Sequence, residues 1–533
     1  MNESDVNVNA TEIAAAEKAR VDSRNKNVLV VARGAGITFA GKIIQLLLGV
    51  GFIFVVARLL GAEQFGMYRL GVTVIMVLSA ASMLGLDAGM KRYIAIARHD
   101  KNAEHLAGII RFGVGLPFLV STGLAIVVAA GAEILAAELF HTPELAPILR
   151  IAAISIPLFA LANSFSSIAM AFKRVEYDTY TQDIGKEVAK AVLSLVAILL
   201  GFGVGGVMMA LNVAGLLSLI PLIYLVHKLF PLQKALVARS TYDTKELTRF
   251  SLPLFLSTLL NQFSRRLEEL FLGIFSIVIN VGIYSAMLSF TQIGTLANVA
   301  LRGIATPIIT ELHHQKKMGE LKRFYQTLTK WSLMFNLPIF LTVLLFGESL
   351  LGLLGKEFTV GAFGLAVLCF GNLVDAGTGS SGVMVSFAGF SRLTLMNSVI
   401  YLAASIGLAI LLIPDYGLIG AAWAGSLTTV LVNVLRSAQI YLLLDRTLPF
   451  NRSFIKPVIA FFIAGAVTYA GRLFILHDSP TWQMVALLPG MLAVYLGVIL
   501  VLGLSSEDRL VLEKLKASKW MGGKRANRKP RSG

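Results

Sequence analysis

Apolar residues come in stretches of about twenty, with polar residues gathered in the gaps. Stretches long enough to cross about 30 Å of hydrocarbon at 1.5 Å per residue lie at 36–58, 69–88, 107–130, 147–171, 184–203 and 205–227. The polar segment HKLFPLQKALVARSTYDTKELTR follows, and six more apolar stretches occupy 250–276, 281–305, 328–350, 359–381, 393–413 and 417–443. Two last ones, 455–476 and 482–504, complete a pattern of about 14 transmembrane helices in an all-α polytopic membrane protein. Composition agrees: 56% of residues are hydrophobic and 15% charged, against about 25% charged in soluble domains, which argues against a soluble enzyme. The single cysteine, Cys369, lies inside an apolar stretch and has no internal disulfide partner.

The formal charge of +16 would suggest nucleic-acid binding in a soluble chain, but in a membrane protein basic cytoplasmic loops come first. Even-numbered connections between spans hold 20 Lys and Arg residues and odd-numbered ones only five: Arg58, Arg69, Arg150, Lys356 and Arg472. This bias sets both termini in the cytoplasm and predicts a multi-pass protein of the cell (inner) membrane, with no role for nucleic acid. The expected organisation is a cytoplasmic tail (1–35), a six-helix lobe (36–230), a cytoplasmic linker (231–249) and a second six-helix lobe (250–445). Two extra helices (455–504) and a basic cytoplasmic tail (505–533) complete it.

An internal repeat underlies the two lobes. Phe65-Gly66-Met67-Tyr68 returns as Val281-Gly282-Ile283-Tyr284 at an offset of 216, and Gly203 and Gly206 return as Gly417 and Gly420 at an offset of 214. Six spans per half is an even number, so both halves enter from the same side, as parallel repeats do.

The residues LLGAEQFGMY (59–68) and GLDAGMKRY (85–93), with EELFLGIF (268–275), VGIYSA (281–286), NSVIYL (397–402) and LIPDYGLIGAAWA (412–424), together resemble the polysaccharide transporters. These are the O-antigen flippase branch of the multidrug/oligosaccharidyl-lipid/polysaccharide exporter superfamily. The resemblance covers about 30–445 and implies a flippase that moves polyprenyl-diphosphate-linked oligosaccharide by alternating access, for O-antigen, capsule or exopolysaccharide synthesis. It departs at the seventh span, where Glu268 stands in place of the family's frequent Asp and follows the pair Arg265-Arg266.

Ionisable groups within spans cost about 2.5–3.5 kcal/mol each at mid-bilayer, so each needs a partner or a wet cavity. Seven bases (Lys42, Lys186, Lys190, Arg265, Arg266, Arg302 and Arg436) outnumber four acids (Glu187, Glu268, Glu269 and Asp375). Arg265 lies roughly 22 Å along its helix, too deep for snorkelling. Helical spacing places Asn261, Arg265 and Glu268/Glu269 on one face, either as a self-neutralised ladder or as a cavity wall. The seven bases are the candidate substrate-binding residues, since a net basic cavity attracts an anionic head group; diphosphate is the anion the resemblance implies. Glu268, Glu269 and Asp375 are the candidate ion-coupling residues for H⁺ or Na⁺. No catalytic residue, metal site or cofactor is expected.

The expected partners are the anionic lipid-linked oligosaccharide and the bilayer, with a polysaccharide polymerase or glycosyltransferases as candidate protein partners. A multidrug/cation antiporter of the same superfamily is the alternative, although it should have an acidic or apolar cavity. A membrane enzyme of lipid-linked sugar assembly is a third reading, disfavoured by the short outer loops. GITFAGK (36–42) copies the spacing of a phosphate-binding loop without its Ser/Thr, and His313-His314 has no second pair for zinc.

Overall fold

The computed structural model describes residues 3–231, 233, 244–379, 381–387, 391–444, 446–474, 480–503 and 508; side chains before Gly36 and that of Arg302 are among those outside the described set. Every regular element among the described residues is helical, as the bilayer requires of a chain that must satisfy its backbone groups internally. Among the described residues, nine helical segments are long and apolar enough to span a membrane. By packing, the chain forms two units, residues 1–56 with 71–263 and residues 57–70 with 264–533.

The first unit takes in helix α1 (Glu3–Ser82) outside its 57–70 segment, α2 (Leu86–His99), α3 (Ala103–Ala130) and α4 (Leu145–Ala171). It also holds α5 (Lys186–Leu199), α6 (Gly203–Leu229) and α7 (Thr244–Ser264) to Phe263. Its core joins Leu86, Met90 and Ile94 of α2 to Ile109 of α3, Phe165 and Ile168 of α4, Leu222 of α6 and Leu247 of α7. Helix α2 is too short to span; it buries Leu86, Met90 and Ile94 at i, i+4 and i+8 and carries the bases Lys91, Arg92 and Arg98. The spanning helices are apolar outward as well: Leu119 and Val127 on α3 present 71% and 68% of their surface, as lipid-facing positions should.

The second unit holds α8 (Leu267–Phe275), α9 (Val278–His314), α10 (Met318–Gly352) and α11 (Ala362–Gly377), then α12 (Ser381–Phe387), α13 (Ser391–Leu443), α14 (Ile455–Phe474) and α15 (Pro480–Val501). The final pair packs on α10 through Leu333, Leu337 and Leu341 against Ala460, Ala464, Met491 and Tyr495. Within this unit the two repeat-related glycines meet face to face. A Cβ on Gly66 would lie 2.1 Å from the Val278 carbonyl oxygen, and one on Gly282 would lie 2.0 Å from that of Ala62. The crossing of 57–70 with the start of α9 therefore depends on both being glycine.

Two predicted connections turn out to be single-residue kinks. The expected loop between 58 and 69 is helical on both sides of Gly61 (φ 78°), and Phe65 and Tyr68 are buried in it. The 413/417 connection is likewise reduced to Gly417 (φ 51°), a left-handed angle that a side chain would strain. Gly203, the repeat partner of Gly417, has the same sign at φ 54°.

The expected continuous helix over 250–276 is broken at Arg265-Arg266, where α7 ends and α8 begins, so the uninterrupted helical spacing on which a shared face for Asn261, Arg265 and Glu268 rests is absent. The break leaves Arg265 exposed. It also puts Glu268 and Glu269 in the first turn of α8, where backbone N–H groups favour negative charge.

Candidate functional site

A cavity of about 370 Å³ lies within the first unit, walled by α1, α2, α4, α6, α7 and the turn before α5. That turn, Thr179–Gly185, is a π-helix, a local widening that re-aims side chains. It seats Asp183 against α1: Lys42 Nζ donates to Asp183 Oδ1 at 2.7 Å. The approach is close, since a Cβ on Gly41 would lie 2.1 Å from Thr179 Cγ2. Asp183 is buried, at 5% side-chain exposure, while Lys42 is half exposed at 53%.

Three ammonium groups and three carboxylates line the cavity: Lys42, Lys91 and Lys186 with Asp87, Asp178 and Asp183. Lys91 pairs with Asp87 at 3.9 Å across one turn of α2, and Asp178 accepts from the Ser166 hydroxyl. The Lys186 ammonium stands 4.9 Å from the centroid of the Phe159 ring, and among the described residues no carboxylate forms an ion pair with it. Gln45, Asn163, Thr258, Gln182 and Gln262 add neutral polar groups to the lining.

A second cluster is buried in the second unit around α8. Glu269 is 1% exposed and accepts from Arg69 Nη2, from Arg266 Nη1 at 3.2 Å and from Ser285 Oγ at 2.9 Å. Glu268, also buried, accepts from Ser405 Oγ at 3.0 Å. The Tyr284 hydroxyl and the Glu268 carboxylate both lie beside Gly425, 3.4 and 3.6 Å from where its Cβ would stand. The Glu269 carboxylate would be costly to bury without cations, and the guanidinium groups of Arg69 and Arg266 meet that need.

The seven candidate bases therefore separate. Lys42 and Lys186 line the cavity. Lys190 pairs with Glu187 and rests over the Phe52 ring, 4.4 Å from its centroid. Arg266 joins the Glu269 cluster, Arg265 is exposed at the helix break, and Arg436 has its Nη1 against Gly382. The Arg302 side chain lies outside the described residues. Of the three ion-coupling candidates, Glu268 and Glu269 are neighbours with different partners, and Asp375 sits on α11, where its carbonyl accepts from Thr378 Oγ1. Among the described residues no group of three or more His, Cys, Asp or Glu side chains is arranged to hold a metal.

Sequence reasoning missed Asp178, Asp183 and Asn163, and counted Arg69 as a loop residue. Asp183 stands three positions before Lys186, so the polar run YDTYTQDIGKE (177–187) was a readable sign of a polar face. The Arg69–Glu269 pair left no local signal, because its members are 200 positions apart.

The fold and these charged interiors define a multi-pass, all-helical membrane protein built like the transporters of the MOP superfamily. The structure of a lipid II flippase, MurJ, in an inward closed conformation superposes with a TM-score of 0.65 at 15% identity, covering 87% of this chain and 97% of that one. An inward-facing MATE family multidrug resistance transporter of the MOP superfamily gives 0.64 at 16% identity, over 75% and 95% of the two chains. The chain belongs to the polysaccharide biosynthesis protein family, which it matches over residues 31–313. A curated relative, the succinoglycan biosynthesis transport protein ExoT of Rhizobium meliloti (strain 1021), is 25% identical over 268 residues, 49% of this chain and 50% of that protein. The match thus spans about half the length of each.

Proposed function

We propose that this protein is a flippase that carries polyprenyl-diphosphate-linked oligosaccharide across the cytoplasmic membrane for cell-surface polysaccharide synthesis. The observation that carries this reading is the polar cavity of the first unit. A cavity of about 370 Å³ with six charged side chains among apolar helices gives a polar head group a wet environment that hydrocarbon does not. Membership of a polysaccharide biosynthesis family supports a glycan as the cargo, as do a transport protein and a lipid II flippase among the proteins it resembles.

The prenyl tail stays in lipid while the head group crosses by alternating access. The substrate is bound through bases drawn from Lys42, Lys186, Lys190, Arg265, Arg266, Arg302 and Arg436, and both termini face the cytoplasm. Protonation or Na⁺ binding at Glu268, Glu269 or Asp375 drives the cycle. Deleting the gene and assaying which leaflet holds the lipid-linked oligosaccharide tests the reading. Accumulation in the inner leaflet is expected; normal surface glycan with no accumulation would refute it.

A further inference from the structure

The cavity of the first unit is poorly suited to the diphosphate end of such a substrate. Its three ammonium groups are matched by three carboxylates, and Lys42 and Lys91 are each already engaged with an aspartate. A diphosphate brought in would face three negative groups at short range with Lys186 as its main counterion, and Coulomb repulsion at low dielectric would oppose it.

The cavity does have unmet hydrogen-bonding capacity of another kind. Asp183 Oδ2 is fully buried with no donor among the described residues, and Asp87 Oδ1 is in the same state. Asn163 and Thr258 are exposed to the space, and Gln262 partly so. Carboxylates that lack donors, beside amides that both donate and accept, are complemented by hydroxyl groups, each of which gives one hydrogen bond and receives others. A sugar ring offers several on a neutral body, and the volume falls within the range of about 300–1,000 Å³ usual for small-molecule pockets.

We propose that this cavity is the glycan subsite of the carried lipid. Asp183 and Asp87 accept from sugar hydroxyls, the amides of Asn163 and Gln262 complete the recognition, and the diphosphate is engaged outside this cavity. The assignment rests on the flippase reading, and it separates two parts of one substrate that a purely basic site would not distinguish.

The test uses the full-length protein purified in detergent, with binding read by native mass spectrometry. Two probes are compared: undecaprenyl diphosphate, and the lipid-linked oligosaccharide extracted from the deletion strain. Asn163→Ala, Gln262→Ala and Asp183→Asn should each weaken binding of the oligosaccharide lipid by roughly three- to tenfold, the worth of one or two hydrogen bonds. Binding of undecaprenyl diphosphate should stay within about twofold of wild type. Asn163 and Gln262 line open space, so their variants remain informative if Asp183→Asn fails to fold. Equal weakening of both probes would place the diphosphate in the cavity and overturn the assignment; no change in either would remove the cavity from the substrate's path. If the wild-type protein binds neither probe, the flippase reading itself falls and takes this inference with it.

Discussion

Glu269 gathers two guanidinium groups and a hydroxyl in the interior of the second unit. Its carboxylate serves Arg69, Arg266 and Ser285 at once, and Arg69 is itself only 12% exposed. Removing one partner of a buried ion pair leaves the other charged and unsolvated, at a cost of about 3–5 kcal/mol. Glu269→Gln should therefore lower the thermal unfolding temperature in detergent sharply, and Arg69→Met should do the same. The double variant should regain part of the loss, because no unpaired charge then remains; additive losses in the double-mutant cycle would refute the pairing. Local reasoning identified Glu268 and Glu269 as special from their place in an apolar stretch. It could not identify Arg69, because only tertiary packing brings a side chain 200 positions away into reach.

At the scale of the helix, the crossing of Gly66 and Gly282 is the sharpest demand on the sequence. A methyl group on either would meet a backbone carbonyl oxygen well inside van der Waals contact, at 2.1 and 2.0 Å, and backbone gives way less readily than a flexible side chain. Gly66→Ala and Gly282→Ala should each cost roughly 1–3 kcal/mol or more from overpacking, seen as loss of the monodisperse peak in size-exclusion chromatography. Gly115→Ala and Gly123→Ala on α3, where a Cβ meets nothing within 4 Å, should leave that peak unchanged.

Asp508 is held by a separate set of contacts. Lys330 Nζ, 6% exposed on α10, donates to both carboxylate oxygens of Asp508 at 2.6 and 2.8 Å, and Trp331 Nε1 donates to Asp508 at 2.8 Å. Asp508→Ala should destabilise the fold by about 3 kcal/mol and change the Trp331 fluorescence. An unaltered spectrum would argue against the contact.

For the molecule as a whole, transport is the relevant measurement. Lys186→Met removes the cavity base that has no carboxylate in ion-pair contact among the described residues, and it should reduce oligosaccharide appearing at the outer leaflet by roughly tenfold if the base contributes one charge-assisted hydrogen bond, about 1.5 kcal/mol. Wild-type transport in that variant would remove Lys186 from the mechanism. Replacing Glu268 and Glu269 by Gln and Asp375 by Asn should abolish the response to an imposed H⁺ or Na⁺ gradient. An unchanged response would end the coupling proposal for these three residues.

The sequence by itself determined the class of the protein. Apolar runs of spanning length admit only helices in lipid, and the repeat at 65–68 and 281–284 marked the two glycines that the fold presses together. Within those limits, the tertiary structure decided what charge patterns leave open. It broke the predicted seventh helix at Arg265-Arg266, reduced two predicted loops to glycine kinks, and matched the cavity lysines with aspartates to an even balance. The reason is one of range. Hydropathy and helical period act over neighbouring residues and can be read in order, whereas a buried charge is stabilised by whichever opposite charge packing brings within a few ångströms.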